Sequence, residues 1–263
     1  LNGFLGELLG GPDIFGEFTY IFNLFGTPSN TEPWGWQIFG HHLCLNCLIL
    51  GDQMTITPTF MGGEPCHADE GPHKGLSIFD DEERFGLELM RSFSKEQKAR
   101  ALVARSMVDG DLPKGRRVPH DGLHLGGAYC DNRIVPYEGL MGKNFNNLQR
   151  DKLLNLIAEY LGTLPKGPFE AKMKDVEDHF KDTHFCWIGG QEDNQPFYYR
   201  IQSPVTLIEF DHHAGVFLDN SEPKNFHVHT LVRTPNGNDY GVDLIRQHYE
   251  RAPHHVKSHN NKV

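Results

Sequence analysis

The architecture is indicated by one aromatic and aliphatic run, Trp34-Gly-Trp-Gln-Ile-Phe-Gly-His-His-Leu-Cys-Leu-Asn-Cys-Leu-Ile-Leu50. Residues of these types favour β-structure, so we predict a strand over residues 36–50, with Gly40 at a bulge or a close backbone approach. Gly51-Asp52 is typical of a turn. The alternating residues 54–60 then suit the second strand of a hairpin, which Pro58 moves toward a sheet edge because proline lacks the N–H of a central strand.

After this hairpin, the sequence predicts a helical middle segment from about residue 77 to 182. The pattern there predicts helices over residues 80–90, from the capping box Ser94-Lys-Glu-Gln97 to Met107, over 151–161 and over 172–181. The last third predicts strands over residues 197–201, 205–210 and 225–232, then the turn Pro235-Asn-Gly-Asn238 and a closing helix that Asp239 caps.

This order of elements predicts one α+β domain over residues 1–263, in which antiparallel strands carry the histidine clusters and a helical insertion separates them. The segment from Phe4 is expected to form a short helix before a strand that ends near Phe25. The tail 252–263 is expected to be flexible.

Composition limits the partners of the chain. Its 263 residues are 38% hydrophobic and carry a formal net charge of −10, which disfavours nucleic acids and anionic membranes. No apolar run approaches the roughly 18 residues that span a bilayer. We therefore expect a small-molecule substrate, with a homo-oligomer left open. Five sparse cysteines make a cytoplasmic protein the default expectation, and the start at Leu1 suggests a removed leader or a fragment.

Histidine is the richest functional signal, because imidazole is the commonest metal ligand and titrates near neutral pH. Three clusters lie in or beside β-like segments: His41-His42, Glu209-Phe-Asp-His-His213 and His227-Val-His229. Residues i and i+2 of a strand point to the same side, so His227 and His229 can bind one ion together. Closed zinc sites take four protein ligands, and catalytic zinc sites take about three.

We predict as metal ligands His42, His212, His227 and His229. As acid–base groups, or groups that orient the ligands, we predict Asp211, Glu209 and His41. Neighbours in a strand point in opposite directions, so only one of His41 and His42 should bind. Regular alternation puts His213 on the face of Asp211 and His212 on the other face, unless a bulge just after them re-aims His212. The alternative to a metal site is a buried hydrogen-bonded network of histidines.

Two further segments are candidates for the site. Arg233 precedes a Pro-Asn-Gly turn and a helix N-terminus, which favours an anion, so we predict that it clamps a substrate carboxylate. The alternative is that residues 236–239 only shape the turn and cap the helix. The segments 121–128 and 131–139 are rich in glycine and predict a wall or mobile lid with the candidates His124, Asp131 and Glu138. No phosphate-binding loop and no G-x-S-x-G elbow occur.

Five motifs lie between about Phe25 and Tyr249: Trp34-Gly-Trp-Gln…Gly-His-His-Leu, Gly51-Asp-Gln…Thr57-Pro, Phe197-Tyr-Tyr-Arg-Ile…Ser-Pro-Val, Ile208-Glu-Phe-Asp-His and His229-Thr…Arg233-Thr-Pro-Asn-Gly-Asn-Asp-Tyr-Gly. Together they resemble the DUF3500 family of bacterial and fungal proteins, whose function is unknown. The resemblance implies histidines at the positions of His42, His212 and His229, with the position of His213 variable. It therefore favours His212 over His213 as a ligand.

These observations predict a metal-dependent enzyme that acts on a small organic molecule. Zinc is favoured, with activated water attacking an ester, amide or lactone, Asp211 or Glu209 taking the proton and Arg233 holding the substrate. Iron or copper bound by the same histidines would support an oxidoreductase instead. A non-catalytic protein that binds a metal or a small molecule is a further hypothesis, as is a protein whose histidines are only structural.

Overall fold

A computed structural model of the protein describes residues 19–118, 121–215 and 221–255. Within these ranges the strands are β1 (Ile21–Phe25), β2 (Trp34–Gly40), β3 (Leu43–Leu50), β4 (Gln53–Gly63), β5 (Leu102–Ala104), β6 (Leu140–Met141), β7 (His184–Gly189), β8 (Phe197–Gln202), β9 (Leu207–His213) and β10 (Lys224–Arg233). The helices are α1 (Asp80–Ser92), α2 (Lys95–Ala101), α3 (Asn147–Leu161), α4 (Lys166–Asp178) and α5 (Val242–Arg251). The helix predicted from Phe4 and the tail beyond residue 255 lie outside the described residues.

In the described part of the chain, ten strands form one sheet in the order β1-β2-β3-β4-β10-β9-β8-β7-β5, and β6 also pairs with β7. The pairings are antiparallel except for the parallel pair of β5 with β7. A parallel pair needs a crossover, which here contains α3 and α4. The predicted α+β fold, with a helical middle and a C-terminal helix, is confirmed. No helix in the described ranges has the length and apolar character needed to cross a membrane.

Alternation along the central strands gives the sheet two different faces. Tyr199 and Phe210 are fully buried on the face that packs against α1 and α3, and their rings stack with centroids 5.0 Å apart. Burying such a ring stabilises the fold by about 1.5–3 kcal/mol. Tyr198 and Asp211 alternate with them and point to the other face. Residues 121–128 cover that second face, where the histidine clusters lie.

The run 34–50 forms two strands rather than the single strand predicted. Strands β2 and β3 pair through Gly40 and Leu43, so His41 and His42 form the tight turn between them. Gly40 is a close approach, because a Cβ at this position would lie 2.2 Å from Cδ1 of Tyr20. The turn places both histidines at one end of the sheet.

Strand β4 lies between β3 and β10, so the prediction that Pro58 marks a sheet edge is wrong. The register shifts between the pairs Leu45↔Thr59 and Cys47↔Ile56, and Pro58 occupies that irregularity. A proline fits there because no ladder N–H is needed at a bulge. The side chain of Asn46 donates to the Pro58 carbonyl over 2.8 Å and fills the gap in the ladder.

Two helix boundaries differ from the prediction for tertiary reasons. Helix α2 ends at Ala101 rather than near Met107, because β5 follows at once and pairs with β7. Helix α5 begins at Val242, and no side chain caps it. The carboxylate of Asp239, which was predicted to cap it, instead accepts a hydrogen bond from Arg233 over 2.8 Å.

Candidate functional site

The β9–β10 hairpin brings two of the histidine clusters together. Its register pairs His229 with Asp211 and Val228 with His212. Directly paired residues of an antiparallel ladder have their side chains on the same face. His229 and Asp211 therefore share the face that residues 121–128 cover, and His212 points to the opposite face. His227, two residues before His229, shares the face of His229.

Three of the four predicted ligands converge at this end of the sheet. Nε2 of His227 lies 3.1 Å from Nε2 of His229. The His42 ring approaches both from the β2–β3 turn, with ring centroids 5.5 and 5.4 Å away. One ligand atom from each of the three lies within 4.8 Å of the others. Two nitrogens that bind one tetrahedral Zn²⁺ at about 2.0–2.1 Å are about 3.3 Å apart, so this spacing suits a single ion.

The outer nitrogens of two of these rings are held by hydrogen bonds. Nδ1 of His227 donates to the Ala214 carbonyl over 2.8 Å, and Nδ1 of His229 donates to Asp121 Oδ1 over 3.0 Å. Neutral rings held in this way carry their lone pairs on Nε2. Two lone pairs therefore face each other across 3.1 Å, where they repel unless a cation lies between them. Ligand histidines backed by a carboxylate or a carbonyl are typical of metal sites.

Burial keeps the three rings neutral. Burial and the neighbouring imidazoles, His229 foremost, lower the pKa of His42 to about 2 and that of His227 to about 3. Burial also lowers the pKa of His229, although the carboxylate of Asp121 opposes that shift. Because a metal binds the neutral form of imidazole, the three rings are in the ligand form at neutral pH.

His213, rather than His212, lies beside the cluster. The His213 ring stacks on the His229 ring with centroids 4.1 Å apart, and its Nδ1 lies 3.1 Å from Asp211 Oδ1. Burial opposes protonation of His213, but Asp211 outweighs it and raises the pKa. The expected re-aiming of His212 is wrong, because the hairpin irregularity lies in β10 and β9 alternates regularly. His212 lies in the helix-side core, where its Nδ1 accepts from the Phe197 N–H over 3.0 Å.

A buried ion cluster lies behind the histidines. The fully buried His124 imidazole lies between two carboxylates, with Nδ1 3.6 Å from Asp121 Oδ2 and Nε2 3.4 Å from Asp211 Oδ1. Burial alone would lower the pKa of His124, but Asp211 and Asp121 raise it to about 10. His124 in turn lowers the pKa of Asp211 to about 2 against the effect of burial. Polar contacts thus join His229, Asp121, His124, Asp211 and His213 in one chain, in which the His229 ring is neutral.

Glu209 anchors the covering segment. Its buried carboxylate accepts from the backbone N–H groups of Leu125 and Gly126, each over 2.8 Å, and from the Tyr198 hydroxyl over 2.7 Å. A fully buried carboxylate that accepts three hydrogen bonds from the protein has no open side toward a substrate. The geometry therefore does not support the predicted role of Glu209 as an acid–base group.

Arg233 also holds this segment rather than facing a cavity. Its guanidinium donates to the carbonyls of Gly126 and Gly127 and to the carboxylates of Asp131 and Asp239. A bidentate clamp on a substrate carboxylate would have to break these contacts. The predicted substrate-binding role of Arg233 is therefore not supported. The alternative, that residues 236–239 only shape the turn and cap the helix, fails in its second part, because no side chain caps α5 and Asp239 accepts from Arg233 and from the Thr234 N–H.

Residues 121–128 form a packed wall, not an open lid. A Cβ at Gly122 would lie 2.6 Å from Cε1 of His213, and a Cβ at Gly127 would lie 2.3 Å from Asp121 Oδ2. The two glycines let the backbone approach the site closely enough to deliver Asp121 and His124. This spacing of glycines around Asp121 is the one sequence signal that could have identified it as part of the site.

His41 lies at the rim of the cluster. Its ring centroid is 4.3 Å from that of His42, and burial lowers its pKa although Glu64 opposes the shift. Of the two, His42 is the residue whose ring approaches His227 and His229. This agrees with the prediction that only one of His41 and His42 should bind. The role of His41 as an acid–base group stays a prediction.

The chain matches a known protein family over most of its length. The family model described as "Protein of unknown function (DUF3500)" matches residues 1–242. The chain belongs to the DUF3500 family. The resemblance of its motifs to that family is therefore confirmed, and the match contains the whole histidine cluster. A search of curated proteins and a search of solved structures each found no match.

A cavity of about 190 Å³ opens beside the cluster of this DUF3500 chain. The residues that line it include Gly122, Asp211, His213 and Ala214. Three of these already belong to the site: Asp211 orients His213, and the Ala214 carbonyl orients His227. A small molecule in this cavity would therefore lie next to His213.

Proposed function

We propose that this DUF3500 protein is a metal-dependent enzyme that acts on a small organic molecule, with one divalent ion held by His42, His227 and His229. The observation that supports it best is the 3.1 Å separation of the His227 and His229 Nε2 atoms. Three imidazoles leave the fourth position of a tetrahedral ion for water or substrate. Zinc is the favoured ion, and copper accepts the same donor set.

Hydrolysis of an ester, amide or lactone is the favoured reaction. A zinc ion bound there would supply a Lewis acid and an acidified water. His213 is the residue best placed to move the proton, because Asp211 holds its Nδ1 and raises its pKa. That bond leaves Nε2 of His213 to exchange a proton with the substrate. Asp211 is buried and acts through His213, which narrows the earlier prediction that Asp211 itself takes the proton.

The cavity suggests a small substrate. Its volume of about 190 Å³ is below the roughly 300–1,000 Å³ of most ligand pockets. His213 and Asp211 line it, so a bound molecule would meet the proposed proton-transfer group directly. Because Arg233 is occupied by four protein groups, the proposal no longer includes a clamp for a substrate carboxylate.

An iron-dependent oxidoreductase is the second candidate. Asp121, His213 and His229 form another group whose ligand atoms lie within 4.8 Å of one another. Two imidazoles and one carboxylate are the donor set of many non-heme iron enzymes. We place this candidate second because the Asp121 carboxylate already accepts from His229 Nδ1. A non-catalytic metal- or small-molecule-binding protein is the third.

Metal analysis by mass spectrometry on the purified protein tests the proposal. We expect His229→Ala to lose one metal equivalent relative to the wild type. His73→Ala, which changes an exposed histidine outside these groups, should lose none. Unchanged metal content in His229→Ala rejects the centre.

A panel of small esters, amides and lactones tests the reaction. We expect turnover by the wild type and its loss in His213→Ala, which should keep its metal. Full turnover in His213→Ala rejects the role of that residue. A bound metal without turnover favours the binding protein, and iron in place of zinc favours the oxidoreductase.

A further inference from the structure

A second group of histidines lies beyond residues 1–242, which the family model covers. His248 lies in the last turn of α5, and His254 and His255 lie in the turn that follows. Glu32 meets them from the loop between β1 and β2, 223 positions away from His255. Only the fold brings these four side chains together.

Three ligand atoms of this group form a small triangle. Nε2 of His255 lies 3.1 Å from Nε2 of His248 and 3.2 Å from Oε2 of Glu32. The third edge, from Glu32 Oε2 to His248 Nε2, is 3.5 Å. Ligand atoms bound to one tetrahedral zinc ion at about 2.0–2.2 Å are separated by about 3.3–3.6 Å, so all three edges are close to the spacing around one ion.

His254 supplies a fourth donor. Its Nε2 lies 2.7 Å from Glu32 Oε1, and its ring centroid is 4.4 Å from that of His255. One ligand atom from each of the four residues lies within 4.8 Å of the others. Three imidazoles and one carboxylate are a donor set that zinc and similar divalent ions accept.

Hydrogen bonding alone leaves this geometry unbalanced. A bond between the Nε2 atoms of His248 and His255 needs a proton on one of them. The other nitrogen accepts that bond with its single lone pair, so this nitrogen and the Glu32 carboxylate are two neighbouring acceptors around one proton. One cation in the triangle removes the repulsion at all three atoms.

We propose a second metal site, structural in role and occupied by a divalent transition-metal ion such as zinc, formed by Glu32, His248, His254 and His255. Four protein ligands close the coordination of a tetrahedral ion, which is typical of structural sites. The ion ties the end of α5 to the loop before β2. Tyr249 and Trp34, near two of its ligands, line a cavity of about 470 Å³, so the same ion fixes one side of that cavity.

Zinc titration calorimetry on the full chain, stripped of metal by a chelator, tests this site. We expect the variant Glu32→Gln/His254→Ala to bind one equivalent fewer than the wild type. The matched control Glu70→Gln/His73→Ala changes an exposed glutamate and an exposed histidine and should lose none. His229→Ala removes only the proposed catalytic ion, so failure of one site is distinguishable from failure of the other.

Hydrogen exchange supplies a second readout. Its wild-type measurement, with and without zinc, does not depend on whether a variant folds. Zinc should slow exchange at residues 29–34 and 245–255 in the wild type and in His229→Ala, but not in Glu32→Gln/His254→Ala. An equal zinc stoichiometry in that double variant and the wild type overturns the proposal. Exchange in these two segments that does not respond to zinc in the wild type overturns it as well.

Discussion

Nδ1 of His229 donates to Oδ1 of Asp121 over 3.0 Å, although the two residues are 108 positions apart in the chain. This bond turns Nε2 of His229 toward His227 and fixes the neutral tautomer that a metal requires. The orientation of one imidazole on β10 therefore depends on a carboxylate that the glycine-rich segment delivers.

We predict that Asp121→Asn weakens zinc binding at this centre by about 10- to 100-fold, the usual effect of removing a carboxylate behind a ligand histidine. Competition with a chromogenic chelator measures the affinity. Asp52→Asn, at an exposed turn position, is the control and should leave the affinity unchanged. Equal affinities of the Asp121 variant and the wild type would show that the bond does not support a metal ligand.

Gly62 lies where the His42 and His229 rings meet. A Cβ there would lie 2.9 Å from Cδ2 of His42, 3.0 Å from Cδ2 of His229 and 2.9 Å from the Val228 carbonyl oxygen. We predict that Gly62→Ala separates the rings, costs about 1–3 kcal/mol of stability and lowers zinc affinity more than tenfold. Gly110→Ala adds its methyl group to open space and should change neither quantity. Full zinc affinity in Gly62→Ala contradicts the convergence of the two rings on one ion.

The metal-free protein is predicted to be most stable near pH 6.5. His124 has a pKa of about 10 in the fold against an ordinary value of 6.5, so its contribution is complete below pH 6.5 and is lost as pH rises through 10. The lowered pKa values of His42 and His227, about 2 and about 3, act in the opposite direction. The fold resists their protonation, so stability falls as pH drops below 6.5. Asp211, with a pKa of about 2, stabilises the fold above its ordinary 3.8 and loses that contribution as pH falls through 2.

His124→Gln isolates the alkaline side of this profile. Urea unfolding in the presence of a chelator, from about pH 5 to pH 10, should show the alkaline decline in the wild type and a flatter alkaline side in the variant. The acidic decline should remain in both, because it comes from other histidines. A variant that loses as much stability as the wild type above pH 6.5 would show that His124 is not the buried cation.

Glu209→Gln is predicted to loosen residues 121–128. One of the three donors to the Glu209 carboxylate would then face an amide NH₂ group instead of an acceptor. Leaving a buried donor unsatisfied costs about 1–3 kcal/mol. Hydrogen exchange at Leu125 and Gly126 should become faster, while exchange in α3 should not change. Unaltered exchange at those two amides would indicate that Glu209 does not hold the segment.

His212→Ala is predicted to damage the core and spare the site. It removes the acceptor of the buried Phe197 N–H, which costs about 1–3 kcal/mol, and it leaves metal content unchanged. His213→Ala should keep its metal and lower turnover by about 10²- to 10⁴-fold, the usual contribution of a proton-transfer group. Loss of metal from a folded His212→Ala protein would restore His212 as a ligand.

The local features of this protein could be predicted from its residues alone. Alternation predicted that His227 and His229 share a face and that His213 lies on the side of Asp211, since the pleat of a strand sets the direction of each side chain. The pattern of residues 80–90 predicted the start of α1 at Asp80, and the predicted capping box of Ser94 and Gln97 is present. The motifs identified the family over most of the chain. The prediction that a bulge re-aims His212 toward the site departed from this alternation and was wrong. His213 is the histidine that lies beside the cluster.

The contacts between groups far apart in the chain could not be predicted in this way. The turn at His42, the wall that delivers Asp121 and His124, and the use of Glu209 and Arg233 to hold that wall depend on strand register and loop packing. The junction of Glu32 with His248 and His255 has the same origin. Register and packing are set by the total burial of apolar and polar groups across the domain. The residues next to a given position in the sequence say almost nothing about this burial, because it depends on the whole domain.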